Sequence, residues 1–302
     1  MKKTVGFLFF VIVMLSVASL QAQNTPSQIS DEQAHEIVLN GTPDDVKKLI
    51  QSGYDVNKVY LCNTLLNEAV RSAARGKNAN KHPEYALEKI KTLVNSGADI
   101  NLIPCDGFSM TALHWAVSLP LDIQYLEDDA NKVIDERIKN KIGECNFPGI
   151  VSKPCGEITY EEREKIRIAI KGAMQLAYSA FPPYFMEIID FLVKSGADIN
   201  LKAGTLGSAP LHIAATNPQD ITLEPLQYLI SKGVNLNIQD NNGNTPLFWA
   251  YGVNNVKAVD MLINAGANTA IINKEGVIYK DVEGKKIRGF MDNNANMILD
   301  EF

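Results

Sequence analysis

The sequence predicts an all-α solenoid of helix–turn–helix repeats with a helical insertion in one repeat. Three observations predict it. One phrase, an amphipathic helix end followed by Gly and an Asp/Asn-x-Asn loop, recurs at residues 49–57, 93–101, 192–200, 229–237 and 262–269. A second phrase, a tight turn followed by a Thr-Pro-Leu-type helix start, alternates with it in register. The stop glycines Gly53, Gly97, Gly196, Gly233 and Gly266 are 44, 99, 37 and 33 residues apart. A period near 33 residues, which only the last spacing equals, is the mark of stacked supersecondary units rather than of a globule closed by long-range pairing.

The N-terminus reads as an address. Lys2 and Lys3 precede an apolar run of 11 residues from Val5 to Leu15, and a small-residue zone ends at Ala22. That layout is a secretory signal, too short to span a bilayer. Residues 1–22 are therefore expected to be removed, leaving 23–302 as the mature chain with no membrane span, periplasmic or secreted. The formal charge of −6 becomes −8 once the two lysines are gone. With no dense basic run, this acidity argues against nucleic acid. A hydrophobic content of 46% excludes wholesale disorder.

Each repeat element follows from its residues. In the first phrase Gly sits where a helix ends in the left-handed conformation, which only Gly adopts without a Cβ penalty. The second phrase is clearest at residues 240–250: Asp240 to Gly243 turns the chain, Thr245 caps a helix, and Pro246 takes its first position. Variants stand at 106–116 and 204–215, and a worn copy at 64–69. Ala209 occupies the capping position of the third copy, a change costing about 1 kcal/mol unless Ser208 compensates. The alternating Thr-Pro-Leu-His-like and Gly-Ala-Asp-x-Asn-like phrases resemble the ankyrin repeat. The resemblance covers most of residues 30–302 as about five to six repeats, with 30–57 and 273–302 as caps. It implies an ankyrin-repeat solenoid whose turns are short β-hairpin fingers, and for function it implies protein–protein interaction and nothing narrower.

The 99-residue spacing exceeds the period by 66, so residues of about 120–183 are an insertion between the two helices of one repeat. Ile123, Leu126, Ala130, Val133, Ile134, Ile138 and Ile142 have helical spacing. Thr159 and Glu162 form a capping box for a second helix to about Ala180, stopped by Pro182 and Pro183. A helical hairpin with Cys145 and Cys155 in its loop is expected. In an exported chain the four cysteines favour disulfides. Those two are natural partners, which leaves Cys62 and Cys105 on the arms of adjacent fingers, clipping two repeats together.

No catalytic or metal constellation stands out, and no cofactor is expected. The scattered histidines and the absence of C-x-x-C argue against zinc. His114 and His212 occupy a repeat position that bonds neighbouring backbone. Asp240 to Gly243 and Asp292-x-Asn294-x-Asn296 resemble incomplete calcium loops. Gly204 to Ser208 is a finger turn rather than a phosphate cradle. Trp115 and Trp249 face the stack. An enzyme would have to use Glu127, Asp128, Glu161 and Glu162 near the insertion, a remote alternative.

What remains is surface. The finger tips Tyr60, Leu61, Phe108, Met110, Thr205, Leu206, Asn241 and Asn242, with Arg71, Ser118, Thr216, Asn217 and Gly252 from the first helices, should line one concave face. Aromatic residues and Met are enriched where partners dock. The sequence thus points to a monomeric, non-enzymatic module for one protein partner, in the bacterial envelope or secreted. An inhibitor or immunity role, a host-directed effector and an envelope scaffold are its versions.

Overall fold

The computed structural model describes residues 29–75, 82, 84–105, 109–120, 135–136, 138–140, 144–147, 150–180, 182–217 and 222–282. Helices α1 (Asp31–Asn40) and α2 (Pro43–Gln51) form a first pair, α3 (Leu65–Arg75) and α4 (Glu84–Asn95) a second. Helix α5 (112–120) is followed by β1 (Glu144–Phe147), β2 (Val151–Pro154) and α6 (Tyr160–Ala180) before its partner α7 (Pro182–Lys194). Then come α8 (Pro210–Ala214) with α9 (Glu224–Ser231), α10 (Pro246–Gly252) with α11 (Val256–Asn264), and a 3-10 turn at Tyr279–Val282.

The pairs stack in two rows. First helices meet first helices, α1 on α3 and α8 on α10, while α2 packs on α4, α4 on α7 and α7 on α9. One continuous apolar core runs from Ala34 to Tyr279 through both rows, which is how units too small to bury their own faces become stable. Local chemistry starts each unit. Ser30 and Gln33 cap α1 reciprocally, and Thr42 with Asp45 caps α2 ahead of Pro43. The five stop glycines all take positive φ, from 76° at Gly233 to 103° at Gly196. At Gly97 the paired bonds Gly97 N–H to Val94 O and Ala98 N–H to Leu93 O close the helix end.

The loop after each glycine ties one repeat to the next. Asn57 donates from Nδ2 to Gly97 O at 2.9 Å and accepts Asp99 N–H at 2.7 Å. Asn101 repeats both bonds to Gly196 O and Asp198 N–H, at 3.0 and 2.8 Å. Asn200 and Asn237 accept from Asn235 N–H and Asn268 N–H. The ladder crosses the 99-residue interval without missing a step, so α4 and α7 are neighbours although far apart in sequence.

Between α5 and α7 the chain builds a small unit of its own. β1 and β2 pair antiparallel, with Cys145 opposite Lys153, so the cysteine-bearing segment is a strand hairpin and not a loop. The Cys145–Cys155 disulfide lies in an apolar cluster with Val151 and Ile166. Asp135 accepts from Arg163 and Arg167, each at 2.7 Å. Thr159 and Glu162 do cap α6, and the expected preceding helix over 122–142 lies largely outside the described residues. The proline pair starts α7 at its first turn, where a missing N–H costs nothing, instead of merely ending α6.

Candidate docking site

From the second helix pair onward each pair is preceded by a finger, and successive fingers are joined edge to edge. Ser109 Oγ donates to Cys62 O at 3.0 Å, and Gly204 N–H to Ser109 O at 2.9 Å. Asn241 N–H then donates to Leu206 O at 2.7 Å, and Lys274 N–H to Asn242 O at 2.9 Å. The row is one hydrogen-bonded edge flanking the first helices.

The first finger differs from the others in its turn. Tyr60 and Asn63 exchange both backbone bonds at 3.0 Å, which leaves a two-residue turn of Leu61 and Cys62. Both have positive φ, 48° and 57°. Turns of this kind ordinarily carry Asn and Gly, and a bulkier side chain costs roughly 1–2 kcal/mol at each such position. Leu61 is 79% exposed at the tip, and Val59 beside it 38%. The Cys62–Cys105 disulfide, with its Cα atoms 5.2 Å apart, links this finger to the arm of the next. Tyr60 packs its ring 5.4 Å from His35.

Behind that finger lies a buried polar cluster. Glu68 of α3 is 7% exposed and accepts from Asn63 Nδ2. Arg71 approaches it at 3.6 Å and His35 at 3.9 Å. The Arg71 guanidinium stands 5.1 Å above the Trp115 ring, so Trp115 is half-buried and shares its face with a cation. Lys89 of α4 reaches Val38 O at 2.7 Å at the end of α1 and is 2% exposed. Burial pushes its ammonium down to about 8, against the opposing pull of Glu68. His35 Nε2 and Arg71 Nε are buried without a hydrogen-bond partner among the described residues. Of these residues the sequence pattern marks Arg71 as a contact residue, and it does not mark His35, Glu68 or Lys89. A signal for Lys89 was present: it falls on the apolar stripe of Ala86, Ile90 and Leu93.

The other titratable groups that the sequence singles out are engaged where they are described. His114 bonds Thr111 Oγ1 at 2.7 Å and Ser208 O at 2.9 Å. His212 Nδ1 accepts Ala209 N–H at 3.0 Å, and its Nε2 meets Asn244 O at 3.1 Å. Burial lowers both imidazoles to about 4. The His212 imidazole thus supplies the reciprocal half of a cap by holding the Ala209 N–H, while the half that a hydroxyl at Ala209 would supply is missing. Both carboxylate oxygens of Asp240 accept from within the chain, Oδ1 from Asn242 and Asn244 N–H and Oδ2 from Trp249 Nε1. Glu161 pairs with Lys165 at 2.8 Å. Lys153 and the Thr159 cap draw Glu162 down to about 2. Glu127 and Asp128 lie outside the described residues.

The predicted contact residues divide three ways. Leu61, Thr205 and Asn241 are exposed, while Tyr60, Arg71, Met110, Leu206, Asn242 and Gly252 are half-buried. Ser118, Thr216 and Asn217 are buried and are withdrawn as surface residues. Ser118 and Thr216 turn their hydroxyls onto carbonyls one turn back, and Asn217 Nδ2 reaches Val117 O of the neighbouring first helix. Phe108 lies outside the described residues. Among those residues no helix is long and apolar enough to cross a membrane.

Residues 176–273 match the family model for ankyrin repeats, in three copies. An ankyrin repeat protein of Acanthamoeba polyphaga mimivirus is 45% identical over 53 residues, 18% of this chain and 13% of that one. Ankyrin repeat domain-containing protein 37 of Xenopus tropicalis is 31% identical over 91 residues, 30% of this chain and 54% of the relative. A longer match, 27% identical over 234 residues, covers 76% of this chain and 30% of the human palmitoyltransferase ZDHHC13. In each case this chain spans less than two thirds of the relative's own length.

Proposed function

Because this chain belongs to the ankyrin repeat family, a family that is generally non-enzymatic, we propose that it is a non-catalytic docking module holding one protein partner. The partner sits on the finger row and the adjoining first helices. The observation that carries this reading is the first finger: an exposed Leu61 on a covalently tethered turn, next to half-buried Tyr60 and Arg71. Tyr and Arg are enriched in binding hot spots, and the apolar Leu61 tip beside them adds surface that a partner would take out of water. Glu161 is exposed, Glu162 is half-buried, and both are ion-paired, which suits a structural helix face better than acid–base chemistry.

In the finer version of this proposal, residues 1–22 are a Sec-type export signal and the mature chain works as a monomeric inhibitor or immunity protein in the bacterial envelope or beyond it. Two paired disulfides among the described residues suit an oxidising compartment.

The test is an affinity capture with oxidised protein spanning residues 23–302, against envelope and secreted fractions of the source cells. A Leu61→Asp/Arg71→Glu variant runs beside it. A single partner held by the native protein and lost with the variant supports the proposal. Equal capture by both moves the docking site off the first finger, and capture of nothing by either overturns the docking reading.

A further inference from the structure

The two disulfides occupy opposite kinds of environment. Cys145 and Cys155 are 3% and 0% exposed inside the apolar cluster of the insertion. Cys62, in the turn of the first finger, and Cys105, on the arm of the next, are half-buried, where a thiol in solution reaches them more readily. Their bond also closes the one described two-residue turn built without glycine, with Leu61 and Cys62 both at positive φ. In the finger Ala203–Ser208 the corresponding freedom comes from Gly204 and Gly207, at φ 74° and 58°. A conformation that its residues disfavour persists only where surrounding structure over-determines it. Here that structure includes a covalent bond that can be opened.

We infer that the Cys62–Cys105 bond is a releasable latch on the docking surface: an external dithiol opens it while Cys145–Cys155 stays closed, and the Leu61 turn then relaxes out of its binding form. The consequence for docking rests on the function proposed above, but the latch itself does not. The step is ordinary thiol–disulfide exchange. One thiolate of the dithiol attacks a sulfur of the bond, giving a mixed disulfide and releasing one cysteine thiolate. The second thiol displaces the other cysteine. Two electrons pass to the protein, the dithiol leaves as its own disulfide, and its two protons end on Cys62 and Cys105. Exposed or strained disulfides are the labile ones, and buried unstrained ones resist reduction. The chain carries one of each. Opened, the turn loses its tether to the second finger and keeps the Tyr60–Asn63 bonds and the Ser109 contact to Cys62 O. Leu61 is then free to leave the positive-φ region and the position in which the row displays it.

The test is stepwise reduction of the folded, oxidised protein with dithiothreitol, trapping with iodoacetamide and mapping the labelled peptides. Cys62 and Cys105 should label at a dithiol concentration at least tenfold below that for Cys145 and Cys155. Leu61→Gly, which adopts positive φ freely, should raise the dithiol needed for the first bond about tenfold, roughly 30 mV for this two-electron couple. Simultaneous opening of the two bonds, or opening of Cys145–Cys155 first, overturns the latch. So does an unchanged midpoint in Leu61→Gly. Circular dichroism at the first midpoint checks that the helices persist; a loss of helix there shows a structural clamp and overturns the latch as well. No partner enters this titration, so its failure leaves the docking module standing, whereas failure of that module appears only in the capture experiment.

Discussion

The first finger and the fingers of the fourth and fifth helix pairs do the same mechanical job with different chemistry. In the later fingers glycines supply the positive φ, buried His212 and Asp240 satisfy the turn backbone, and Asn241 spans to the preceding tip. In the first finger Leu61 and Cys62 take the disfavoured conformation, and a disulfide to Cys105 provides the tie. The consensus chemistry makes a finger whose polar groups are consumed by stacking. Departing from it leaves an apolar tip with no structural task. The family model matches residues 176–273 only, and the part it omits is where the exposed, strained apolar tip lies.

Acid should break one end of this comparison and reductant the other. The folded-state values of His114 and His212, about 4, lie below the ordinary 6.5. Between those values the unfolded chain binds more protons, so stability falls as pH drops from 6.5 through 4. A depression of this size is worth about 3 kcal/mol per imidazole. Hydrogen exchange at pH 4 against pH 7 should show protection lost first around residues 203–217 and 240–250, with 60–75 holding longer. Equal loss in both regions would mean that the histidines do not stitch the later fingers.

Removing the covalent tie gives the next effect. Closing a loop between residues 43 apart restricts the unfolded chain by about 4 kcal/mol on the chain-entropy estimate. Release of the two positive-φ residues returns roughly 2 kcal/mol of that. Cys62→Ser/Cys105→Ser should therefore lose about 2 kcal/mol in denaturant unfolding, independent of pH between 4 and 6.5. Cys145→Ser/Cys155→Ser should instead destabilise the insertion locally.

Glycine exchange sharpens the contrast within single turns. A Cβ on Gly207 would stand 2.3 Å from Asn241 Oδ1 at φ 58°, so Gly207→Ala combines backbone strain with a displaced inter-finger bond and should cost about 2 kcal/mol. Leu61→Gly, the reverse exchange at the same kind of φ, should leave stability unchanged or raise it by up to about 1 kcal/mol. Thermal unfolding midpoints of the two variants should move in opposite directions. Loss of stability in both would show that Leu61 packs against something in the free protein.

The repeats were legible because their residues act locally: Gly at the helix stop, Thr or Ser at the cap and Asn at the third loop position each have one short-range job. The Cys62–Cys105 pairing follows from that register, and the Cys145–Cys155 pairing from the closeness of the two cysteines within the insertion. Burial was harder to read. Ser118, Thr216 and Asn217 fall at positions that face the groove in an idealised repeat, yet short helices and close stacking turn them onto neighbouring carbonyls. The β-hairpin at 144–154 was hidden because its strands are four residues each and show no sustained alternation. The polar cluster behind the first finger was hidden for another reason: Glu68, Arg71, His35 and Lys89 come from three helices, and charged residues on helices ordinarily read as solvated faces.

Lys89 offers the smallest change in stability at neutral pH and the most specific readout. Its folded-state value of about 8 lies below 10.5, so the unfolded chain binds the extra proton between those values and stability rises with pH across that window. Above pH 10 the rise is opposed by Tyr54 and Tyr228, whose phenols burial and the neighbouring Asp31 and Asp190 hold protonated in the fold. The clean interval is therefore pH 8–10. Lys89→Met removes the buried charge but strands Val38 O, which Lys89 Nζ now satisfies. The desolvation relieved, about 3 kcal/mol, is largely offset by the unsatisfied carbonyl and the lost partner of Glu68, at about 1–3 kcal/mol. Stability at pH 7 should thus change by less than about 1 kcal/mol while the slope between pH 8 and 10 disappears. Denaturant midpoints taken every half pH unit decide it. A slope that survives in Lys89→Met belongs to another group, and a loss of several kcal/mol at pH 7 would mean that the ammonium fastens α1 to α4 more strongly than its burial opposes it.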